Sequence, residues 1–410
     1  MKPTGFPTVL GLGLIIALQG CEVGPNYHVP AAPPAKLTIP VQGGAQAQNF
    51  TPGADVAGDW WTLYQSPVLS ALIANSLANN PSLTAAQATL VEAQENLRAA
   101  GGALLPTLSG TIGVQRDRAS SASFASFGGD GAASNLTIPP YNLYNASLSV
   151  SYAPDIWGGT RRNIEGLAAQ AEYERDELEA AYLSLTGNIV TASIQAASLQ
   201  GQIDATNQTI GAEQQMMTIL QAQQGLGGAS GAQVLQQQAQ LAQSKATLPP
   251  LQSQLAQEQN ALVAYEGAFP GNAVPPVVTL DELTLPVDVP VSVNSNIVAQ
   301  RPDIRAAAAQ LHTATAKVGV ADANLLPQLN LSAEVGQEAL TAGTLFSPQN
   351  LLWNLVAGIT QPIFEGGTLL AQRKAAIATL QGSGAQYQQT VVSAFQNVAD
   401  VLAALQYDAD

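Results

Sequence analysis

The sequence predicts a mainly α-helical chain with a small membrane β-barrel contribution. Three observations predict this fold class. Apolar residues recur at every seventh position over long stretches, four short segments alternate apolar and polar residues, and two parts of the chain match each other at a fixed offset. The 410 residues, 46% of them hydrophobic, are ample for a large core. We therefore expect long coiled-coil helices and four strands, arranged in two internal repeats.

The composition excludes several functional classes. Charged residues make up 10% of the chain and the net charge is −15, with only 14 Lys and Arg, so no nucleic-acid partner is predicted. One cysteine and two histidines exclude a disulfide framework and most metal sites. The Gly-x-Ser-x-Gly, His-Glu-x-x-His and P-loop motifs are absent. The sequence thus predicts no enzyme, no catalytic residue, no metal and no cofactor beyond a covalent lipid.

The N-terminus predicts a lipoprotein. Residues 1–20 are interpreted as a signal peptide, because the apolar run from Gly5 to Leu18 has the length of its hydrophobic region and is too short to span a membrane. The string Leu18-Gln19-Gly20-Cys21 resembles the bacterial lipoprotein cleavage site, which makes Cys21 the candidate lipidation site. Glu22 in place of Asp favours the outer membrane, by analogy with sorting signals. The alternative is a free cysteine buried in a core helix.

Five segments carry a seven-residue apolar spacing that predicts coiled-coil helices. The longest runs from about residue 160 to 224 without proline, and roughly 65 helical residues reach about 100 Å. A polar turn then lets the next helix return as a hairpin, and Pro249-Pro250 are expected to kink or interrupt that returning helix. The turn contains Gly225, Gly227, Gly228, Ser230 and Gly231.

Period-two alternation predicts four strands of about 9–11 residues each. They begin near Leu108, Ala146, Leu329 and Trp353, and each has one apolar and one polar face. This pattern suits a barrel wall with lipid outside and water inside. It equally suits a soluble sheet packed on a core.

The repeat relates residues 81–114 to residues 302–335 at an offset of 221. Ile156-Trp157-Gly158-Gly159 matches Ile363-Phe364-Glu365-Gly366 at an offset of 207, so each copy reads helix, strand, loop, strand, long helix. The sequence predicts five segments along the chain: a signal peptide at 1–20, a lipid-anchored tether and equatorial segment at 21–68, a first repeat at 69–267, a Pro-rich linker at 268–299, and a second repeat at 300–410 that is expected to lack its final helix.

Four strands cannot close a membrane barrel, which needs at least eight. Open strand edges in lipid leave backbone groups unpaired at several kcal/mol each, so several chains must share one barrel. Three chains supply twelve strands. The sequence therefore predicts a trimeric twelve-strand barrel that continues into an α-helical tunnel.

Several strings together resemble the TolC-like outer-membrane efflux proteins, in the lipoprotein branch that serves resistance–nodulation–division pumps. They are Cys21-x-Val-Gly-Pro-x-Tyr27, Trp60-Trp61-x-Leu-Tyr-x-Ser-Pro, Asp155-Ile-Trp-Gly-Gly, Arg301-Pro-Asp-Ile-Arg, Asn324-Leu-Leu-Pro and Gln361-Pro-Ile-Phe-Glu-Gly-Gly. The resemblance implies a homotrimeric channel-tunnel without catalysis. It also implies a periplasmic adaptor (membrane fusion) protein, an inner-membrane efflux pump and outer-membrane lipid as partners.

The function expected from these features is export of small molecules through an outer-membrane lipoprotein channel of a Gram-negative bacterium, extending into the periplasm. The turn at 225–231 is the predicted adaptor contact, since it would lie deepest in the periplasm. No gate residue is assigned, because the family's acidic gate lies at the tip of the second hairpin, expected beyond residue 410. Two alternatives stay open: a lipid-anchored coiled-coil scaffold without a pore, and a truncated channel product that does not assemble.

Three conspicuous sequence features have plain structural interpretations. Arg301-Pro302-Asp303 reads as a helix start, with proline at the first position and an acid in the first turn. His312 is expected to be a surface or packed imidazole. Trp157, at a strand-to-helix corner, suits either a membrane interface or core packing.

Overall fold

The computed structural model describes residues 22–31, 49–52, 57–118, 139–272, 277–286, 288–291 and 300–408. The predicted fold class is confirmed, because long helices dominate these residues and four strands form one antiparallel sheet. Along the chain the elements are β1 (Asn49–Pro52), α1 (Pro67–Asn79), α2 (Pro81–Gly101), β2 (Thr107–Asp117), β3 (Tyr141–Tyr152), α3 (Gly159–Gly225), α4 (Gly231–Tyr265), β4 (Asp288–Val291), α5 (Pro302–Ala323), β5 (Gln328–Ala339), β6 (Leu351–Thr360) and α6 (Thr368–Asp408).

The chain divides into two compact units. The sheet unit comprises the described residues of 1–29, 93–171 and 309–385, and the helical unit comprises those of 30–92, 172–308 and 386–410. Helices α2, α3, α5 and α6 contribute residues to both units. The signal peptide and Cys21 lie outside the described residues. The division of the chain into signal peptide, tether, first repeat, linker and second repeat remains a prediction.

The sheet unit contains the four predicted strands in the order β2-β3-β5-β6, with every neighbouring pair antiparallel. The repeat is visible in their bounds, because β2 begins at Thr107 and β5 begins 221 residues later at Gln328. Each of these strands directly follows a helix that begins with proline, α2 at Pro81 and α5 at Pro302.

The helical unit has its core where α1 packs against α3 and α4. Ser66 caps α1 by accepting a hydrogen bond from Leu69 N at 3.2 Å, which orients the first turn. A smaller apolar cluster joins Ile304 of α5 to Val391 and Ala394 of α6. The main core consists of Trp61, Leu69, Leu72, Ile73, Leu185, Ile189, Val190, Ala192, Leu262 and Val278.

The long helical hairpin is confirmed, and of the two expectations for Pro249-Pro250, a kink or an interruption, the interruption is wrong. Helix α3 has 67 residues, and α4 runs through Pro249 and Pro250 without a break. A proline inside a helix leaves the carbonyl four residues earlier without its N–H donor. Here those carbonyls belong to the exposed Lys245 and Ala246, which are open to solvent, so the helix can continue at a low cost.

Arg301-Pro302-Asp303 is confirmed as a helix start. Helix α5 begins at Pro302 with Asp303 in its first turn, and Arg301 Nη2 donates to Asp303 Oδ2 at 2.8 Å. Burial raises the pKa of Asp303, but the bonds from Arg301 outweigh it, so this pKa lies below its ordinary value. The string has a structural role in beginning the helix.

Candidate channel wall

The four-stranded sheet has two chemically different faces. Because side chains alternate along a strand and partners in register share a face, the pairing fixes which residues lie together. The rows Leu108–Val150 and Leu148–Val335–Trp353 belong to the apolar face. The rows Ser109–Ser149–Glu334–Asn354 and Thr111–Ser147 belong to the polar face.

The apolar face is open over most of its area within the chain. Ile112 is 86% exposed, Trp353 74% and Leu355 75%. Water-soluble monomers rarely expose contiguous apolar patches of this kind, so the face needs a hydrophobic environment. This observation favours the barrel wall over the soluble sheet, the two interpretations that the alternation pattern left open.

The polar face carries hydroxyl, amide and few charged groups. Ser109 and Ser149 share a hydrogen bond of 2.7 Å between their hydroxyls, and Asn354 donates to Glu334 at 3.1 Å. These cross-strand contacts are made where both partners remain accessible to solvent. A face of this chemistry suits contact with water.

Both outer edges of the sheet are open within the chain. β2 pairs only with β3, and β6 pairs only with β5, among the described strands. A backbone edge in lipid requires a partner, since each unpaired N–H or C=O group costs several kcal/mol there. The sheet therefore suits closure by further copies of the same chain.

The segment from Glu22 to Pro30, called the N-terminal segment below, packs on the helical end of the sheet unit. Val23 N donates to Trp157 O at 3.1 Å. Gly24 has a φ of +94°, and a Cβ there would lie 2.4 Å from the Cα of Gly319 in α5. Only glycine combines this left-handed backbone with so close an approach. The two glycines thus bring the segment into direct contact with α5.

Arg162 holds this segment in place. Its side chain is 3% exposed, and it donates from Nη2 to Asn26 Oδ1 at 2.6 Å, from Nε to Val23 O at 3.2 Å and from Nη1 to Glu165 Oε2 at 2.7 Å. All the distances fall within hydrogen-bond range, so one buried guanidinium joins the segment to α3.

His312 completes the same cluster. Its ring is half-buried, stacks on Tyr27 with centroids 4.2 Å apart, and its Nε2 lies 2.9 Å from Glu165 Oε1. Burial raises the pKa of Glu165, but hydrogen bonds from Arg162 and His312 outweigh it and place the pKa below its ordinary value. Of the two expectations for His312, the packed imidazole is the one observed.

Trp157 lies half-buried at the corner between β3 and α3, and its indole Nε1 donates to Pro327 O at 2.7 Å. Asp155 begins α3 by accepting from the backbone of Thr160 at 3.1 Å and of Arg161 at 2.8 Å. The indole therefore has a packing and hydrogen-bonding role within the chain, which is one of its two expected roles.

The predicted adaptor-contact turn lies at the end of the α3–α4 hairpin. Gly225 ends α3, Gly227 adopts a φ of +77°, and Ser230 caps α4 by accepting from Gln233 N at 3.3 Å. Gly228 N donates a hydrogen bond to Gln223 O at 2.8 Å. The turn is closed by its own backbone bonds, and Leu226 at its tip is 89% exposed.

Sequence reasoning missed the residues that organise the N-terminal segment. Arg162 stood out in no motif, and Gly319 lies inside a helical pattern. The signals present were a glycine in mid-helix and a tyrosine two residues after proline in the Cys21 string. Neither of these shows that the two regions meet, because they are 295 residues apart in the sequence.

The described helices include none that is long and apolar enough to span a membrane. The described part of the chain also holds no group of three or more His, Cys, Asp or Glu side chains arranged for a metal ion.

Comparison with known proteins decides the family. The model of the outer membrane efflux protein family matches residues 72–268 and 293–410. The chain belongs to this family. Its members are trimeric outer-membrane components of tripartite efflux pumps, which also contain a periplasmic adaptor and an inner-membrane transporter, and the present chain is an outer-membrane efflux channel component.

Individual relatives agree with this family membership. The pyoverdine export outer membrane protein OpmQ of Pseudomonas aeruginosa is 30% identical over 375 residues, which cover 88% of this chain and 76% of OpmQ. The probable outer membrane lipoprotein SilC of Salmonella typhimurium is 26% identical, over 96% of this chain and 82% of SilC. The solved outer-membrane channel OprN superposes with a TM-score of 0.82 at 22% identity, over 94% of this chain and 83% of OprN, and shows the same fold.

Proposed function

We propose that the efflux channel formed by this chain is a homotrimer that conducts passively, exporting small molecules delivered by an energised inner-membrane pump. The observation that carries the proposal is the amphipathic four-stranded sheet with two open edges. Three such sheets supply twelve strands, and joining β6 of one copy to β2 of the next removes every open edge.

The proposed barrel turns the apolar face to lipid and the polar face to water. Its lumen then contains mostly hydroxyl and amide groups, with Glu334 and Glu338 as the acids on the polar rows of β5. Fixed charge of one sign selects ions by charge, and this wall carries little of it. We therefore expect weak selectivity among small solutes.

The proposal includes a lipid on Cys21. Support comes from Glu22, the next residue, whose Cα would lie 2.9 Å from a Cβ on Gly158 at the corner between β3 and α3. A lipid one residue away from this corner would enter the membrane beside the helical end of the sheet. The relative SilC carries the word lipoprotein in its name.

The proposal also assigns adaptor contact to the turn at 225–231. Residues 214–244, which include the turn, contain no charged side chain, and Leu226 at its tip is 89% exposed. An adaptor would meet exposed backbone groups, glutamine amides and one leucine here. Such a surface recognises a partner by hydrogen bonds and apolar contact.

The experiment that tests the channel is single-channel conductance in planar bilayers, with the oligomer mass measured in the same detergent. We expect a trimer that gives discrete current steps. A matched variant, Cys21→Ser, separates the lipid from the pore: it is expected to reduce membrane insertion and to leave the step size unchanged. Monomers without conductance would contradict the channel, and a water-soluble Cys21→Ser sheet would support the pore-free scaffold instead.

The adaptor contact is tested by placing a photoreactive side chain at Leu226 or, as a control, at the exposed Gln252 on the same hairpin. Cells that also carry an epitope-labelled adaptor of the cognate pump are then irradiated. We expect a covalent adduct between channel and adaptor from position 226 alone. Equal adducts from both positions, or none from 226, would remove the assignment.

A further inference from the structure

A hollow of about 540 Å³ opens on the apolar face of the sheet, below Phe346 of the β5–β6 connection. Two adjacent rows of that face line it, Gly110–Leu148–Val335 and Ile112–Ala146–Gln337–Leu351. Gly110 contributes no side chain, which leaves space in the wall there. The lining is mostly apolar, with Thr111 and Ser147 of the intervening row and the carboxamide of Gln337 as its polar members, and its size suits part of a hydrocarbon chain.

Gln337 is the polar exception in these two rows. Its Oε1 is buried and has no hydrogen-bond partner among the described residues. A buried carbonyl oxygen without a donor costs about 1–3 kcal/mol, so the site favours a ligand that brings an N–H or O–H group to this side of a mostly apolar hollow. A plain hydrocarbon chain does not meet this requirement.

A cation lies further along the same face. Arg116 is four residues beyond Ile112 on β2, which places it about 14 Å away and on the same side of the strand. It is exposed, and its Nη1 donates to Asn142 Oδ1 at 3.1 Å, which leaves other guanidinium N–H groups open. The row of Gln337 is the side of the hollow nearer to this cation, so the face presents an apolar, a hydrogen-bond-accepting and a cationic position in that order.

We propose that this face binds a phosphorylated glycolipid of the outer leaflet, one molecule per chain. The inference rests on the proposed barrel, in which the apolar face meets lipid. One acyl chain fills the hollow, an amide N–H or hydroxyl near the head of that chain donates to Gln337 Oε1, and a phosphate pairs with Arg116. Glycerophospholipids attach their chains through esters, which lack a donor at that depth. Amide-linked or hydroxylated chains carry one.

The test compares two lipids on the assembled full-length channel. Trimers are delipidated and incubated with equal amounts of lipid A and phosphatidylethanolamine, and the retained lipid is counted by native mass spectrometry. We expect three lipid A molecules per trimer and a preference of about tenfold or more over phosphatidylethanolamine. Equal retention of the two lipids would overturn the proposal. A chain that stays monomeric fails the proposed function instead, and the measured mass distinguishes this case.

Four variants locate the site. Gly110→Leu fills the hollow and is expected to lose lipid A, whereas Ala357→Leu also places a leucine on the same face, on β6 and outside the hollow, and is expected to retain it. Gln337→Leu is expected to abolish the preference for lipid A while still binding an acyl chain. Arg116→Gln is expected to weaken lipid A retention several-fold.

Equal lipid A loss in Gly110→Leu and Ala357→Leu would show a general effect of bulk on the wall and overturn the assignment. If Gly110→Leu does not assemble, Gln337→Leu and Arg116→Gln carry the test. Unchanged lipid A retention and preference in both of them would then overturn it.

Discussion

The two strand-to-helix junctions of the repeat have similar sequences and differ in how far the rest of the chain shields them from solvent. At the first junction, Trp157 is half-buried and bonded to Pro327 O at 2.7 Å. At the second junction, 207 residues on, the corresponding Phe364 is 87% exposed and the neighbouring Ile363 93% exposed. The local sequences are nearly interchangeable, so the difference lies in what each junction packs against.

The first junction is covered from within the chain. Its corner meets the N-terminal segment and the α5–β5 connection, and Asp155 caps the helix that follows. At the second junction Pro362 occupies the position of Asp155, so this side-chain cap is missing. By the repeat, Pro106 in the α2–β2 connection corresponds to Pro327, and Leu105 beside it is 66% exposed. We expect the α2–β2 connection of the next copy to cover the second junction.

The largest effect in this comparison is expected from Arg162→Ala. The change leaves Glu165 without its arginine and frees Asn26 and Val23, and breaking a buried ion pair costs about 3 kcal/mol or more. Thermal unfolding and limited proteolysis of the N-terminal segment measure the loss. The matched control is Arg98→Ala, whose ion pair with Glu95 is exposed on both sides and contributes about 0–1 kcal/mol. Equal destabilisation by both would remove the special role of the first junction.

Phe364→Ala is expected to weaken the trimer by about 2 kcal/mol, the scale of an aromatic anchor at an interface, and to leave the fold of each chain intact. Trimer dissociation in detergent, followed by mass against concentration, measures the effect. Phe269→Ala removes an equally exposed phenylalanine of the helical unit, at 78% exposure, and is expected to change nothing. If the trimers of both variants dissociate alike, the proposed contact between the second junction and the next copy is refuted.

Glu165→Gln tests the electrostatic part of the first junction. Because the pKa of Glu165 in the fold lies below its ordinary value of 4.5, its carboxylate stabilises the fold above that pH, and this contribution is lost as the pH falls through the lowered pKa. The variant is expected to cost about 1.5 kcal/mol at pH 7 and to flatten the acid limb of the stability profile. Glu95→Gln, which removes an exposed partner of Arg98, should leave that limb as it is.

The smallest effect is expected from Trp157→Phe, which makes the first junction resemble the second. It removes the indole donor to Pro327 O and keeps most of the aromatic surface, for a loss of about 1 kcal/mol in the free energy of unfolding. Trp353→Phe, on the open apolar face, serves as the control. Denaturant unfolding of both variants checks the difference, and a Trp157→Phe loss no larger than that of the control would contradict it.

The sequence predicted the elements well because their signals are local. Seven-residue spacing, period-two alternation and the 221-residue offset depend only on neighbours along the chain, and α3, the four strands and the start of α5 agree with them. Continuity of α4 through Pro249-Pro250 was missed because the cost of a proline depends on whether the freed carbonyls reach water. That exposure is a property of the folded chain.

The contacts of the N-terminal segment could not be predicted from the sequence, for a different reason. Gly24 and Gly319 signal close backbone approach only as a pair, and nothing local relates them. The same holds for Tyr27 and His312. The chemistry of the hollow was hidden too, since Gln337 is an ordinary polar residue until pairing with Ala146 places it on the apolar face.

The uncharged end of the α3–α4 hairpin affects how attachment through it depends on salt concentration. The range of electrostatic forces grows from about 8 Å at physiological salt to about 30 Å in dilute solution, so it changes with the ionic strength around the protein. Ion-paired docking surfaces would tighten and loosen with every such change. Residues 214–244 present amides, hydroxyls and aliphatic groups instead. Attachment through this end would hold equally in fresh water and in brine.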